Sequence, residues 1–251
     1  MLKLGEQTDY DDDYENINIG NCVHDFLNET FHSGLTKEML IGMDKNVYEK
    51  KLDDKINEYF KNGKTGKMYL LRKLLKKKLN DFMKAEIKRD FKQVLDTEKD
   101  FSSKVEVNGT KYNLVSRMDR IDENEDGTIS IIDYKTGNAA APVAVKNFVS
   151  DESSLCRQVI AKNIKSFQLI IYKYLYEQLN KDKVVRNAML YSLKDSKTTL
   201  LLKQDSKIDF SVLLEQFKLI ISDINNDEPF RSELYDDVEC EKCPYFYLCR
   251  Q

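Results

Sequence analysis

Residues 104–137 read KVEVNGTKYNLVSRMDRIDENEDGTISIIDYKTG, and the fold class turns on how this run divides. Asn108-Gly109 stands between runs rich in β-branched and aromatic residues. Such a pair suits a two-residue hairpin, because both central positions take positive φ. Residues 112–121 then read as a strand, ENEDGT at 123–128 as a turn, and Ile129–Lys135 as a second strand. A competing division fits part of the same run. Asp122, Asn124 and Asp126 alternate, Gly127 follows, Ile129 is eighth and Asp133 twelfth, which is the spacing of an EF-hand calcium loop. That loop needs a helix on each side. Here both flanks carry strand formers and no second loop is visible. Asn, Asp and Gly are therefore read as turn residues, and calcium binding is set aside.

Side chains two apart on a strand point the same way. Asp133 and Lys135 are thus expected to share a face with Ile129 and Ile131, while Ile132 and Tyr134 face the other side. If the hairpin turns near Glu125–Gly127, antiparallel pairing brings Asp119 within about one residue of Asp133. Two carboxylates and an ammonium then converge. Burying two carboxylates together disfavours their joint ionisation. A hard divalent cation, Mg²⁺ or Mn²⁺, relieves this, and a nearby lysine can steady negative charge developing on a phosphate. Spacing alone also fits an ordinary cross-strand ion pair.

Working outward, the chain before this run is helical in pattern. Ile19, Val23, Phe26, Leu27 and Phe31 share one helical face. Thr36 can cap a short helix with Met39, Leu40 and Met43 on its buried side. Helices are expected over 45–60 and 67–91. The second is amphipathic and rich in lysine (Lys73, Lys76, Lys77, Lys84 and Lys88), which is either a solvated face or a contact for a phosphate backbone. GKTGK at 63–67 is no phosphate loop, because Glu58 stands where its first glycine belongs and no strand precedes it. After the hairpin come a helical pattern over 154–179, strands over 184–193 and 198–202, and a helix over Phe210–Ile224. Helices, strands, a helix, strands and a helix in that order predict an α/β fold: a mixed central sheet flanked by helices, with a helical N-terminal region.

Composition narrows the classes. In 251 residues, 41% hydrophobic content supports a core, and a net charge of −3 gives no global attraction for nucleic acid or anionic membrane, so any such binding rests on local patches. No run of 18 apolar residues suggests a membrane span, and the first residues do not read as a signal peptide, so a cytoplasmic location is expected. Five cysteines, three of them crowded at the C-terminus, point to metal binding rather than a disulfide framework.

The ordered motifs resemble the PD-(D/E)XK nucleases, specifically the RecB/AddB-like exonuclease branch. MDRID, with Asp119, and IIDYKTG, with Asp133 and Lys135, resemble the catalytic core. IGNCVHDFL (19–27) resembles the Gly-x-x-x-His helix and puts His24 forward as a metal ligand. DTEKDF (96–101) resembles the strand carrying a glutamate, here Glu98. FQLIIYKYL (167–175) resembles the Gln-x-x-x-Tyr helix, with Gln168 and Tyr172 one turn apart. The branch tends to carry glycine shortly before its aspartate, where this chain reads Ser116-Arg117-Met118.

The resemblance implies a restriction-endonuclease-like core and a Mg²⁺- or Mn²⁺-dependent DNA exonuclease serving repair or recombination. In this reading Asp119, Asp133, His24 and the Tyr134 carbonyl hold metal. Lys135 activates or orients water, Gln168 and Tyr172 position the strand, and Glu98 is a second-metal or supporting acid. It implies one nuclease domain over 19–251 after an acidic flexible lead-in at 1–18. That domain divides into a helical region (19–92), a sheet core with the motif helix (93–205), and a C-terminal helix with a cysteine tail (206–251). Cys240, Cys243 and Cys249 resemble the iron–sulfur staple of AddB-type nucleases, with zinc or free thiols as alternatives. The fourth ligand is unassigned, Cys22 and Cys156 being the remaining cysteines. The resemblance also implies a helicase, fused or partnered, with this chain as the C-terminal piece of a longer protein. A catalytically silent DNA-binding or assembly module is the non-enzymatic alternative.

Overall fold

A computed structural model of the chain describes residues 8–60, 66–137, 139–143, 155, 157–202 and 208–225. Four helices come first: α1 (Thr8–Thr30), α2 (Lys37–Ile41), α3 (Lys45–Tyr59) and α4 (Gly66–Lys88). Strands β1 (Gln93–Val107), β2 (Thr110–Glu123) and β3 (Ile129–Lys135) follow, then α5 (Arg157–Asn163), α6 (Gln168–Leu179), β4 (Val185–Ser192), β5 (Lys197–Leu200) and α7 (Phe210–Ile224). The chain is an α/β fold with N-terminal helices and a mixed sheet.

The five strands lie in the order β1-β2-β3-β4-β5. All neighbours are antiparallel except β3 and β4. That parallel pair is the one joined through helices, as a parallel connection requires. Residue alternation sends the strands' side chains to two cores. Ile132, Tyr134, Met189 and Tyr191 pack with α1 to α4 on one face. Ile129, Ile131, Ala188 and Leu190 pack with α5 to α7 on the other. The facing expected for β3 is the facing found.

Both turns of the 104–137 run are present. Asn108 and Gly109 have φ of 50° and 76°, the positive pair of the hairpin turn that joins β1 to β2. Between β2 and β3, Gly127 has φ 78°, and its N–H donates to the Asn124 carbonyl at 3.0 Å. The side chains that fitted a calcium loop are engaged elsewhere. Asp126 accepts from the Thr128 N–H and hydroxyl and pairs with Arg186. Asn124 bonds Thr128 and Ser130, and Asp122 is buried against two arginines.

Three expectations are corrected. The first helix begins at Thr8, ahead of the start near Ile19 that the apolar period implies. No proline interrupts 8–18. Thr36 does cap α2 through the Met39 N–H and Leu40 is buried, but Met39 is 51% exposed, because five residues make too short a helix to bury two sides. The continuous helix expected over 154–179 is two helices. Ile164 pairs with Val143, Lys165 N–H donates to the Pro142 carbonyl, and the Ser166 hydroxyl accepts from the Gln168 N–H at 3.2 Å. This break makes Gln168 the first residue of α6.

Below the β2–β3 seam lies a buried ionic cluster. Arg120 grips Asp122 with two bonds of 2.7 and 2.8 Å and pairs with Glu86 at 2.8 Å. It also donates to the Tyr134 hydroxyl at 3.2 Å. Phe31 and Phe91 stack on its guanidinium at 4.2 and 5.1 Å. Arg89 joins both carboxylates. Burial alone would raise Glu86; the Arg120 and Arg89 charges overcome it and hold the carboxyl below its ordinary range. The cluster ties the end of α4 to β2 and β3.

Candidate active site

β2 and β3 part after the pair Arg120–Ile132, and the site forms at the fork. One step further along the same register puts Asp119 opposite Asp133. With β2 no longer paired beside it, the N–H and carbonyl of Tyr134 on that side need other bonds, since unpaired backbone groups are costly when buried. Asp119 Oδ2 accepts from the Tyr134 N–H at 2.8 Å. His24 Nε2 lies 3.2 Å from the Tyr134 carbonyl. A carbonyl only accepts, so Nε2 carries the hydrogen of this bond.

On a neutral ring that assignment leaves a lone pair on Nδ1. Nδ1 is 3.5 Å from both Glu98 Oε1 and Asp119 Oδ2, longer than a good hydrogen bond. One ligand atom from each of His24, Glu98 and Asp119 falls within 4.8 Å of the other two. Three groups thus turn lone pairs on one small space. Glu98 stands between the pairs Thr97–Arg120 and Lys99–Met118, opposite Asp119. Its φ is +48°, a strained value for a residue with a side chain. Its Oε2 is held by Arg117 Nε at 2.9 Å, and the same nitrogen donates to its carbonyl at 3.1 Å.

Asp133 occupies the other half of the site. Its Oδ1 accepts from Gln168 Nε2 at 2.7 Å and from the Tyr172 hydroxyl at 3.2 Å. Gln168 Nε2 also donates to the Tyr172 oxygen at 2.8 Å. Lys135 Nζ lies 2.7 Å from Asp133 Oδ2 and donates to Gln168 Oε1 at 3.2 Å. This buried oxygen accepts no hydrogen bond, and the lysine meets it as an ion pair. Two neighbouring carboxylates, one with an oxygen so placed, are under-compensated. Burial first, and then the Asp133 charge, raise the Asp119 carboxyl to about 6, with His24 and the Tyr134 N–H opposing. A cation of hard character fits this donor set of two carboxylates and an imidazole.

His24, Glu98, Asp119, Asp133, Lys135, Gln168, Tyr172 and the Tyr134 carbonyl are therefore all in one neighbourhood. The grouping differs from the sequence expectation in two respects. The Tyr134 carbonyl, expected to hold metal, accepts from His24 Nε2. Glu98 sits inside the three-ligand group, and Asp133 sits beside it, bonded to α6. Two contributors were not singled out from sequence. Arg117 holds Glu98, and its only signal was a basic residue in the glycine-favouring stretch before Asp119. Arg120 supports Tyr134 from below, and its signal was masked by the turn-like acids that follow it.

Of the cysteines, Cys22 is fully buried in the N-terminal core with a free thiol. Burial pushes that thiol up to about 12, which suits packing rather than cluster ligation. Cys156, Cys240, Cys243 and Cys249 lie outside the described residues.

None of the curated proteins compared matches the chain. A solved structure described as "Crystal structure of SSO0001" aligns over 61% of this chain and 59% of that one, at 17% identity and a TM-score of 0.30, a likeness that carries no argument. The family profile described as "PD-(D/E)XK nuclease superfamily" matches residues 2–250. With nearly its whole length matched, the chain belongs to the PD-(D/E)XK nuclease superfamily.

Proposed function

We propose that the chain is a Mg²⁺- or Mn²⁺-dependent deoxyribonuclease of the RecB/AddB-like branch. It acts as an exonuclease in repair or recombination, within or beside a helicase that feeds it strand ends. The observation that carries this reading is the convergence of His24, Glu98 and Asp119 on one small space, next to the Asp133–Lys135 pair. When bound, a hard divalent cation supplies Lewis acidity toward a phosphoryl oxygen and toward water.

The chain's own residues do the rest. His24, Glu98 and Asp119 would hold the cation, and Asp133 would add an oxygen once Oδ2 exchanges its Lys135 partner for the ion. The Tyr134 carbonyl fixes the tautomer and tilt of His24 through Nε2. Lys135, held between Asp133 and Gln168, presents a positive charge toward an attacked phosphate and offsets the charge that builds on it. Gln168 and Tyr172 lock Asp133 through Oδ1, leaving its other oxygen to the Lys135 ammonium. Cys240, Cys243 and Cys249 are proposed as part of an iron–sulfur staple, its fourth ligand being neither assigned nor Cys22.

The test uses end-labelled linear DNA and a closed circle, each incubated with Mg²⁺ or Mn²⁺ and with wild type, Asp119→Ala or Lys135→Ala. Stepwise shortening of linear DNA by wild type alone is expected. Wild type that leaves both substrates intact in both metals would falsify the enzymatic reading, and cutting of the circle would replace exonuclease by endonuclease.

A further inference from the structure

The proposed catalytic residues leave a neighbouring feature unused. A cleft of about 470 Å³ opens between α1, α4 and the ends of β3 and β4, a size suited to a small ligand group. Its walls are apolar, with Ile19 and Val23 from α1, Leu71, Leu74 and Leu75 from α4, and Leu193 after β4. Its rim is basic, formed by Lys78 and Lys194, and no carboxylate lines it among the described residues. Lys78 Nζ donates to the Lys194 carbonyl, which holds the ammonium at the rim without neutralising it. The exposed side of α4 continues the pattern. Leu70 and Leu74, one turn apart, are 66% and 53% exposed, and Lys73 Nζ sits 4.8 Å over the exposed Tyr69 ring.

The cleft adjoins the site. Thr136 and Gly137, which line it, directly follow Lys135. Val23 directly precedes His24, and Gly20 is one helical turn, about 5.4 Å, before it. A Cβ on Gly20 would meet Thr136 Oγ1 at 3.9 Å, so this turn of α1 lies against the segment that follows Lys135.

We propose that this cleft seats an unpaired base of a single DNA strand. The neighbouring phosphodiester lies at His24 and Lys135, and the strand's backbone runs along Lys78 and Lys194. The proposal rests on the nuclease reading for the identity of the polymer. A duplex keeps its bases stacked and paired, so only an unpaired base offers its face to leucines. A binder of phosphates alone needs cations but no apolar cleft. The cationic rim and the continuity with the site select a polyanion whose monomers also carry an apolar face.

The chain contains no tryptophan, so Leu74→Trp introduces a single indole at an exposed position on the cleft wall. In EDTA, the full-length variant is titrated with a short oligothymidylate, an abasic strand of equal length and a blunt duplex, while anisotropy of labelled strand reports binding. The oligothymidylate is expected to quench the indole saturably. The abasic strand is expected to bind about tenfold more weakly without quenching, and the duplex to leave emission unchanged. Leu74→Glu is expected to weaken binding of the oligothymidylate about tenfold. Equal quenching by the abasic strand, or bound oligothymidylate with unchanged emission, overturns the proposal. A blue-shifted indole insensitive to DNA overturns it too, by showing that another segment of chain or an apolar partner fills the cleft. Quenching by a strand that wild type never cleaves would sink the nuclease reading and leave the cleft assigned, whereas cleavage without quenching would do the reverse.

Discussion

The Tyr134 N–H donates to Asp119 Oδ2 at 2.8 Å, and the carbonyl of the same residue faces His24 Nε2 at 3.2 Å. One residue of β3 therefore orients two candidate ligands from β2 and α1 through its backbone alone. Changing the Tyr134 side chain leaves both bonds available, whereas changing Asp119 removes a ligand. Asp119→Asn keeps an acceptor for the Tyr134 N–H and removes one crowded negative charge. Calorimetry with Mn²⁺ is expected to show at least about tenfold weaker binding. The metal-free melt at pH 8 is expected to rise slightly, because a carboxylate displaced to about 6 is destabilised when ionised.

That displacement also predicts a pH dependence. Asp119 titrates near 6 in the folded chain against 3.8 for the free group. Between these values the folded chain keeps a proton that the unfolded chain has lost. The stability from Asp119 is complete below the unfolded value and is lost as pH rises through the folded one. The melting temperature of metal-free wild type should therefore fall from about pH 4 to about pH 6 relative to Asp119→Asn. Mn²⁺ binding should weaken as pH drops below 6, with close to one proton released per ion, measured in buffers of different ionisation enthalpy. Parallel melts of the two proteins across this range would contradict the assignment.

Lys135 is placed to act on the reaction rather than on the ligand group, since its partners are Asp133 and Gln168. Lys135→Ala is expected to keep Mn²⁺ affinity within a few-fold and to slow single-turnover cleavage by about 10²–10³, the scale of losing one charge-stabilising donor. A loss of metal affinity equal to the loss of rate would instead mean that the lysine only shapes the ligands.

Tyr172 gives a milder test. Its hydroxyl bridges Gln168 and Asp133 on the α6 side, and Asp133 and burial keep it well above the ordinary tyrosine range, burial contributing most. Tyr172→Phe removes one hydrogen bond to Asp133 without a cavity. A loss of about 1 kcal/mol in denaturant unfolding is expected, with metal-dependent cleavage reduced rather than abolished.

How much of this was legible in the sequence differs residue by residue. Asp119, Asp133 and Lys135 were readable because strand spacing and one Asn-Glu-Asp-Gly turn determine who faces whom, and the register observed is the one these imply. His24, Glu98 and Gln168 carried no local signal. They come from a distant helix, a residue at positive φ and a helix start created by a break, and only the order of motifs pointed to them. The early start of α1 was hidden because acidic residues there give no apolar period to read. Asp122 fitted only the spacing of a calcium loop, with no sign of burial, yet two arginines enclose it completely. An ion cluster assembled from α4 and β2 has no signature in either segment alone.

That cluster yields the last prediction. Arg120 is wholly buried, as is Asp122, and it touches Glu86, Asp122 and Tyr134 at once. Removing only the arginine leaves two buried carboxylates with Arg89 as their remaining cation, and such losses typically cost about 3–5 kcal/mol. Arg120→Met is therefore expected to destabilise the chain severely. Arg120→Met combined with Glu86→Gln and Asp122→Asn removes the stranded charges and should recover much of that loss, because an apolar or neutral replacement of a whole ion cluster is often near neutral. The more telling readout is functional. If Arg120 positions the site by holding the Tyr134 ring, the recovered triple variant should bind Mn²⁺ more weakly than wild type at equal stability. If it binds as well as wild type, the cluster serves folding alone and Tyr134 needs no support from below.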